Sequence, residues 1–486
     1  MKKLISLFLS LVLVLLCAVP AGAKKTPSLP EPDYPFLLIR GMDFGGLIYK
    51  ENTPEEEDAF KGVDVKELVS VILKGIGKGL LRGKVSVFTD DIIAYVTDII
   101  GHVACDENGN TKYAVTIPQY EHAMSYYPEF VDDLGNGAEE GLLKLAVERY
   151  GAQNVYYYNY DFRLDPFEHA RRIDKLINTA LKETGKDKIN VVTASMGGIL
   201  MDSYLYKYGC AKVRRVVFMS STFNGTYVTT DLLQGNVKVR ADDLYAFLKQ
   251  YIDSGDEKLN GLVDFAWKAG LFKVVEKLAA WFVKHAKEQV YDEFLRDTFG
   301  TMPTIWALVQ PNEFKACLNY MFGGQEAKYA GIIQKAKAYY RMNVQREAML
   351  KRCVANGMEL CICASYDRAL VPVYERANVH SDSVLESPLM LGNATVALRG
   401  ETLPADYVPA NPDYLSPDRV VDLSPAMFPE LTWAIKGAPH VFCGHDTDCG
   451  EFMLWLINQK EQPTVRTSER YPQFMLSSTD QELRLF

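Results

Sequence analysis

Val191-Val192-Thr193-Ala194-Ser195-Met196-Gly197-Gly198 decides how this chain is read. An apolar run beginning at Lys188 enters the octapeptide, and a helix-forming run leaves it from Gly198 to Tyr208. A serine at so sharp a strand–turn–helix junction has its hydroxyl lifted above the sheet edge, at a helix N-terminus. The turn is crowded and wants small neighbours, which Gly197 supplies. Thr193 stands where the G-x-S-x-G pattern has its first glycine. The octapeptide nominates Ser195 as a nucleophile. The plainer alternative is an ordinary serine N-cap in a βα turn.

Outward from this junction the pattern repeats. Residues 35–40 form a short apolar run ending in Gly41 and read as a buried strand with a Gly-rich turn, Gly41-Met42-Asp43-Phe44-Gly45-Gly46. Residues 139–150 carry helix periodicity, 154–158 read as a strand, and 165–184 carry apolar positions Ile173, Leu176, Ile177, Ala180 and Leu181 at helix spacing. Residues 215–220 form a further strand. Alternating strands and helices imply an α/β class with a mostly parallel sheet flanked by helices. No strand pattern is found over 227–351, where helical stretches such as 244–251 and 262–282 are expected. Sheet character returns at 358–364, and a helix over 451–458 closes the chain. Residues 51–135 place no element clearly. The expected organisation is a signal peptide over 1–23, a first core part over 24–226, a helical cap over 227–351 and a second core part over 352–486.

The chain has 486 residues, a net charge of −9, 48% hydrophobic and 24% charged residues. That balance excludes a disordered or polytopic membrane protein, and the acidic charge gives no reason to expect nucleic acid as a partner. Met1-Lys2-Lys3, an apolar run and Ala21-Gly22-Ala23 make up a basic region, a hydrophobic region and a cleavage site. Export with cleavage after Ala23 is expected, and hence a secreted or extracytoplasmic protein. Cys361 and Cys363 are expected as buried thiols on opposite faces of a strand, and Cys443 and Cys449 as a pair able to close a small loop.

A serine nucleophile needs a base, and the base needs an orienting acid. With a nucleophile elbow the chain order is Ser, then Asp or Glu, then His. Asp367 follows the 358–364 strand, at the sheet edge where ligands bind in α/β folds, and is the expected acid. His440, in Gly437-Ala438-Pro439-His440, is the expected base, with His445 its rival. His380 reads as a surface residue. Backbone amides of Met42 and Met196 are the expected oxyanion donors. No metal and no organic cofactor is expected.

Four stretches resemble the lipase branch of the α/β-hydrolase superfamily that includes lecithin:cholesterol acyltransferase and related bacterial lipases. They are residues 35–42, Tyr160-Asp161-Phe162-Arg163, Thr193–Gly198, and Gly437-Ala438-Pro439-His440 with the helix behind it. Phe162 replaces the Trp common in that family's Tyr-Asp-Trp-Arg segment, and Thr193-Ala194 replaces Gly-His. The resemblance covers the core and not the insertion. It implies the α/β-hydrolase fold and hydrolysis or transfer of fatty acyl esters through an acyl-enzyme. A small-molecule or lipid ester is then the expected substrate, and the cap the part that meets a lipid surface transiently. Two other readings share these features. A lipid acyltransferase would use the same triad, and a surface-binding protein would keep the fold without catalysis. Asp161 and Arg163 are expected as an ion pair under the site.

Overall fold

Phe36-Leu37-Leu38-Ile39 is apolar at every position, and all four side chains are fully buried. That pattern suits a strand covered by helices on both faces and not a sheet with one wet side. In the computed structural model, which describes residues 30–43, 45–61, 93–95, 97–252, 257–477 and 481–486, these residues form strand β1 (Phe36–Ile39). The expected export segment over residues 1–23 lies outside the described residues.

The chain continues through α1 (Ala138–Tyr150), β2 (Val155–Tyr158), α2 (Pro166–Thr184), β3 (Ile189–Ala194), α3 (Gly197–Tyr208) and β4 (Val213–Met219). Local signals set these boundaries. Asp165 caps α2 by accepting from the Phe167 amide at 2.8 Å, Pro166 occupies its first turn, and Gly185 ends it at φ +67°. After a long helical insertion come β5 (Glu359–Tyr366), β6 (Thr432–Lys436), α9 (Asp448–Asn458), β7 (Phe474–Leu476) and β8 (Arg484–Leu485). The spatial order is β2-β1-β3-β4-β5-β6-β7-β8, with only β8 antiparallel to its neighbour. The protein is therefore α/β, with a mostly parallel eight-stranded sheet flanked by helices.

β2 and β3 lie on opposite sides of β1, so the chain reverses its direction of travel across the sheet there. Ile39 is in register with Thr193, which brings the turn after β1 beside the turn after β3. In parallel sheets such a switch leaves an open crevice at the strands' carboxyl ends.

Alternation along the strands builds two cores. Leu37 and Ile39 face one core with Ile173 and Ile177 of α2 and Ile199 of α3; Phe36 and Leu38 face the other with Leu142 of α1 and Phe452 and Leu456 of α9. Burying each such side chain stabilises the fold by about 1.5–3 kcal/mol. Cys361 and Cys363 sit in the same core, while Ile362 between them faces the other. The expectation of opposite faces was wrong, because residues two apart on a strand share a face. Cys443 and Cys449 are both buried and form no disulfide with each other, so they close no loop.

The insertion divides in two. Helices α4 (Tyr227–Leu232), α5 (Ala241–Ile252), α6 (Glu257–Lys268) and α7 (Leu271–Val290) open it, and α5 to α7 share a small cluster of their own around Ala241, Val263 and Phe272. The single stretch expected over 262–282 is two helices, because Gly270 at φ +74° breaks it. Helix α8 (Ala330–Ala355) instead joins the main core and lies against α3. There Arg346 Nε meets Asp202 at 2.8 Å, with both side chains 1% exposed. Removing one partner of so buried a pair costs about 3–5 kcal/mol. Half of the expected cap thus belongs to the layer covering the sheet. Among the described residues no helix is long and apolar enough to cross a membrane.

Candidate active site

Ser195 follows β3 directly and holds φ at +50°, in the left-handed region that non-glycine residues seldom adopt. Its amide extends the sheet by donating to Met219 O at 2.9 Å, and its carbonyl accepts from Gly198 at 3.1 Å. The turn is thereby pinned at both ends while the side chain stays partly open. A Cβ on Gly197 would lie 2.5 Å from Ile39 O and 2.6 Å from Arg40 O, so only glycine lets α3 start this close to β1. Thr193, in the place of the motif's usual glycine, is fully buried with its hydroxyl 3.4 Å from Ser221 Oγ. A larger residue fits because Ser221 meets it.

His440 lies in the loop after β6, and its Nε2 is 2.9 Å from Ser195 Oγ. Its Nδ1 is 2.6 Å from Asp382 Oδ2. The carboxylate can only accept, so Nδ1 carries the proton and Nε2 presents its lone pair to the serine hydroxyl. The acid beside His440 is therefore Asp382, not Asp367. Asp382 is fully buried, and its other oxygen accepts from the amides of Val384 at 2.9 Å and Leu385 at 2.8 Å. Burial pushes the imidazolium of His440 down, but the charge and hydrogen bond of Asp382, with the charge of Glu139, outweigh it. The net shift is upward from the ordinary histidine value.

Asp367 stands at the end of β5 as expected, yet it turns away at φ +72°. Its carboxylate lies 3.6 Å from His380 Nδ1 and 3.5 Å from Lys436 Nζ, with 40% of the side chain exposed. The chain then runs out through Arg368–Ala369 and returns antiparallel at His380–Ser381, and the return delivers Asp382 to the site. Asp367 is the first aspartate after the strand, and chain order alone does not distinguish it from Asp382. The available signal was Ser381-Asp382-Ser383, a polar run amid apolar neighbours and ahead of Glu386-Ser387-Pro388. Nor is His380 on the surface: it is 1% exposed, and burial lowers its pKa. His445, the rival base, points to Glu148 and Asp446, each 3.0 Å away.

Backbone strain gathers at all three members. Val441, after His440, holds φ at +54°, and Ser383, after Asp382, holds +91°. Such conformations cost on the order of 1–3 kcal/mol each and persist only where the surroundings fix them. The Val441 amide, for example, donates to Ser220 Oγ at 3.3 Å.

The turn after β1 completes the crevice. Gly41 is pressed against Ser195, since a Cβ there would lie 3.0 Å from Ser195 Cβ. The Arg40 carbonyl accepts from Tyr160 Oη at 3.0 Å, and the Arg40 guanidinium donates to Asn159 at 2.7 Å and pairs with Asp43. The Gly41 amide donates to Glu139 Oε1 at 2.7 Å. Burial raises the Glu139 carboxyl above its ordinary value against the pull of Arg40 and of this amide. Met42 follows Gly41, and Met196 opens α3, where first-turn amides lack intrahelical acceptors. Asp161 and Arg163 form a buried two-pronged pair at 2.8 and 2.5 Å beside Tyr160. The four-residue segment thus props the turn from below.

Chemically, His440 can take the Ser195 proton while Asp382 compensates the resulting charge. Among the described residues no group of three or more metal-binding side chains occurs. No protein-family model matches the chain, and no curated protein matches it.

Proposed function

We propose that this protein is an exported serine hydrolase of the α/β-hydrolase fold that cleaves carboxylic esters, with lipid esters as the substrate class. One observation carries the proposal: a strained serine at the sheet's switch point, with histidine and a buried aspartate in hydrogen-bonded series at 2.9 and 2.6 Å. A serine N-cap needs neither partner. Ser195 Oγ attacks the ester carbonyl as His440 takes its proton, and the Met42 and Met196 amides receive the oxyanion. His440 returns the proton to the leaving alcohol, and water, activated by the same imidazole, releases the acid.

The lipid assignment rests on α6 and α7. Leu271, Val274, Val275, Leu278 and Trp281 lie at helical spacing on α7 and are all exposed, as are Leu262 and Phe265 of α6. Lys273, Lys277 and Lys284 share one row beside that stripe. An apolar stripe edged by lysines is the pattern of helices that lie in a lipid interface.

The test is the intact mass of the protein after fluorophosphonate treatment, beside Ser195→Ala. A single adduct on the parent, absent from the variant, is expected. No adduct on folded parent, with and without micelles, would overturn the reading. Ester panels with vesicles should then show turnover that falls when Leu278 and Trp281 are replaced by Asp.

A further inference from the structure

We propose that Glu139 is a positioning residue that clasps the turn after β1 to the loop carrying His440. The inference rests on the hydrolase reading above and adds a member to its machinery. Three observations bear on it. Glu139 Oε1 accepts the Gly41 amide at 2.7 Å, in the peptide just before the Gly41–Met42 peptide whose amide would receive the oxyanion. Its second oxygen lies 3.9 Å from Arg40 Nε, so the carboxylate meets the turn at two residues. The segment that carries Glu139 is tied to the base loop: Asn136 O accepts from the His445 amide at 2.8 Å, and Ala138 O accepts from Cys443 Sγ at 3.2 Å.

The backbone is bent to make this contact. Ala138 holds φ at +40°, a conformation with no favourable local reason in an alanine that opens a helix. Close packing at Gly141 explains why the bend is kept, since a Cβ there would lie 2.4 Å from both Asn136 O and His445 N. Helix α1 is thus seated on the base loop, and its first turn aims Glu139 at the oxyanion turn.

A carboxylate beside a forming oxyanion would oppose it unless its charge were committed elsewhere. Here Arg40 and the Gly41 amide take up that charge, which fits a strut and not a group that meets substrate. Glutamine keeps an acceptor oxygen in the same place, whereas alanine removes it.

The experiment uses the mature protein with Glu139→Gln and Glu139→Ala. Hydrogen exchange of the peptide covering residues 36–43 is followed together with phosphonylation rate, kcat and KM. Glu139→Ala should raise exchange in that peptide and lower kcat and phosphonylation by about 10²-fold, as a displaced catalytic group does, with KM near the parent's. Glu139→Gln should keep exchange and most of kcat. Unchanged exchange in Glu139→Ala overturns the proposal, as does a Gln variant that loses as much as the Ala variant, because charge would then be what matters. If Glu139→Ala fails to fold, Glu139→Met, which keeps volume without an acceptor, is read in its place. Exchange reports on the clasp even in a protein that cleaves no ester, so a failed hydrolase reading and a failed clasp are told apart.

Discussion

Asp367 and Asp382 flank a single excursion of the chain beyond the same strand, β5. Both follow a serine or tyrosine, both lie near a histidine, and both precede His440 in chain order. Their surroundings differ in kind. Asp367 is 40% exposed and shares its charge with Lys436 across 3.5 Å. Asp382 is fully buried, with two backbone amides on one oxygen and an imidazole on the other. An exposed ion pair is worth at most about 1 kcal/mol and holds nothing in place. A buried carboxylate with both oxygens engaged fixes the ring it touches. Position along a sheet edge makes an aspartate available; the return of the chain makes it an orienting group.

The largest expected consequence lies in turnover. Asp382→Asn should lower kcat by about 10⁴, the loss seen when the acid of a serine–histidine–aspartate series becomes an amide. Asp367→Asn should leave kcat/KM near the parent's, and equal losses from the two substitutions would mean that Asp382 has no special hold on His440. Stability should separate them next. Asp382→Ala leaves the buried Leu385 amide and the part-buried Val384 amide without their acceptor and should cost about 1–3 kcal/mol in denaturant unfolding. Asp367→Ala should cost less, and a larger loss at Asp367 would mean that its turn, not the Asp382 loop, holds this edge.

The two carboxylates should also differ in their effect on the pH profile. His440 must be neutral to accept the serine proton, and its pKa is raised above 6.5. Activity should therefore rise with pH through a midpoint above that value. Asp382→Asn removes the charge that favours the imidazolium, so the midpoint of residual activity should move down. Asp367→Asn should leave it in place, and the reverse pattern would assign the coupling to the wrong carboxylate. The smallest effect is expected at the strained turn itself. Asp367 holds φ at +72°, so Asp367→Gly relieves backbone strain while adding chain entropy, and the two should nearly cancel within about 1 kcal/mol. A loss well beyond that, measured as a fall in unfolding midpoint, would show that the Asp367 side chain does more for this edge than its ion pair suggests.

Much of this was legible because it is local. Ser195 announces itself through the crowding that demands Gly197, and the strands through runs that only a doubly covered sheet can bury. Chain order marks His440, and adjacency marks Asp161–Arg163. Other features depend on segments far apart in the chain. Glu139 lies 98 residues from the Gly41 amide it accepts, and nothing in an amphipathic helix marks its first turn as part of a site. Asp382 is set by a pair of two-residue strands too short for any periodicity to reveal. Helix α8 joins the layer over the sheet where Arg346 meets Asp202, and nothing local in the sequence marks either charge as buried.

The α/β class, the sharp turn at Ser195 and the histidine loop follow from local sequence, because backbone sterics and side-chain periodicity act over a few residues. Which carboxylate orients His440, what holds the Gly41 turn, and which inserted helices cover the sheet were decided only by tertiary structure. Those depend on where loops return and on which charges lose their water, and both are properties of the packed chain.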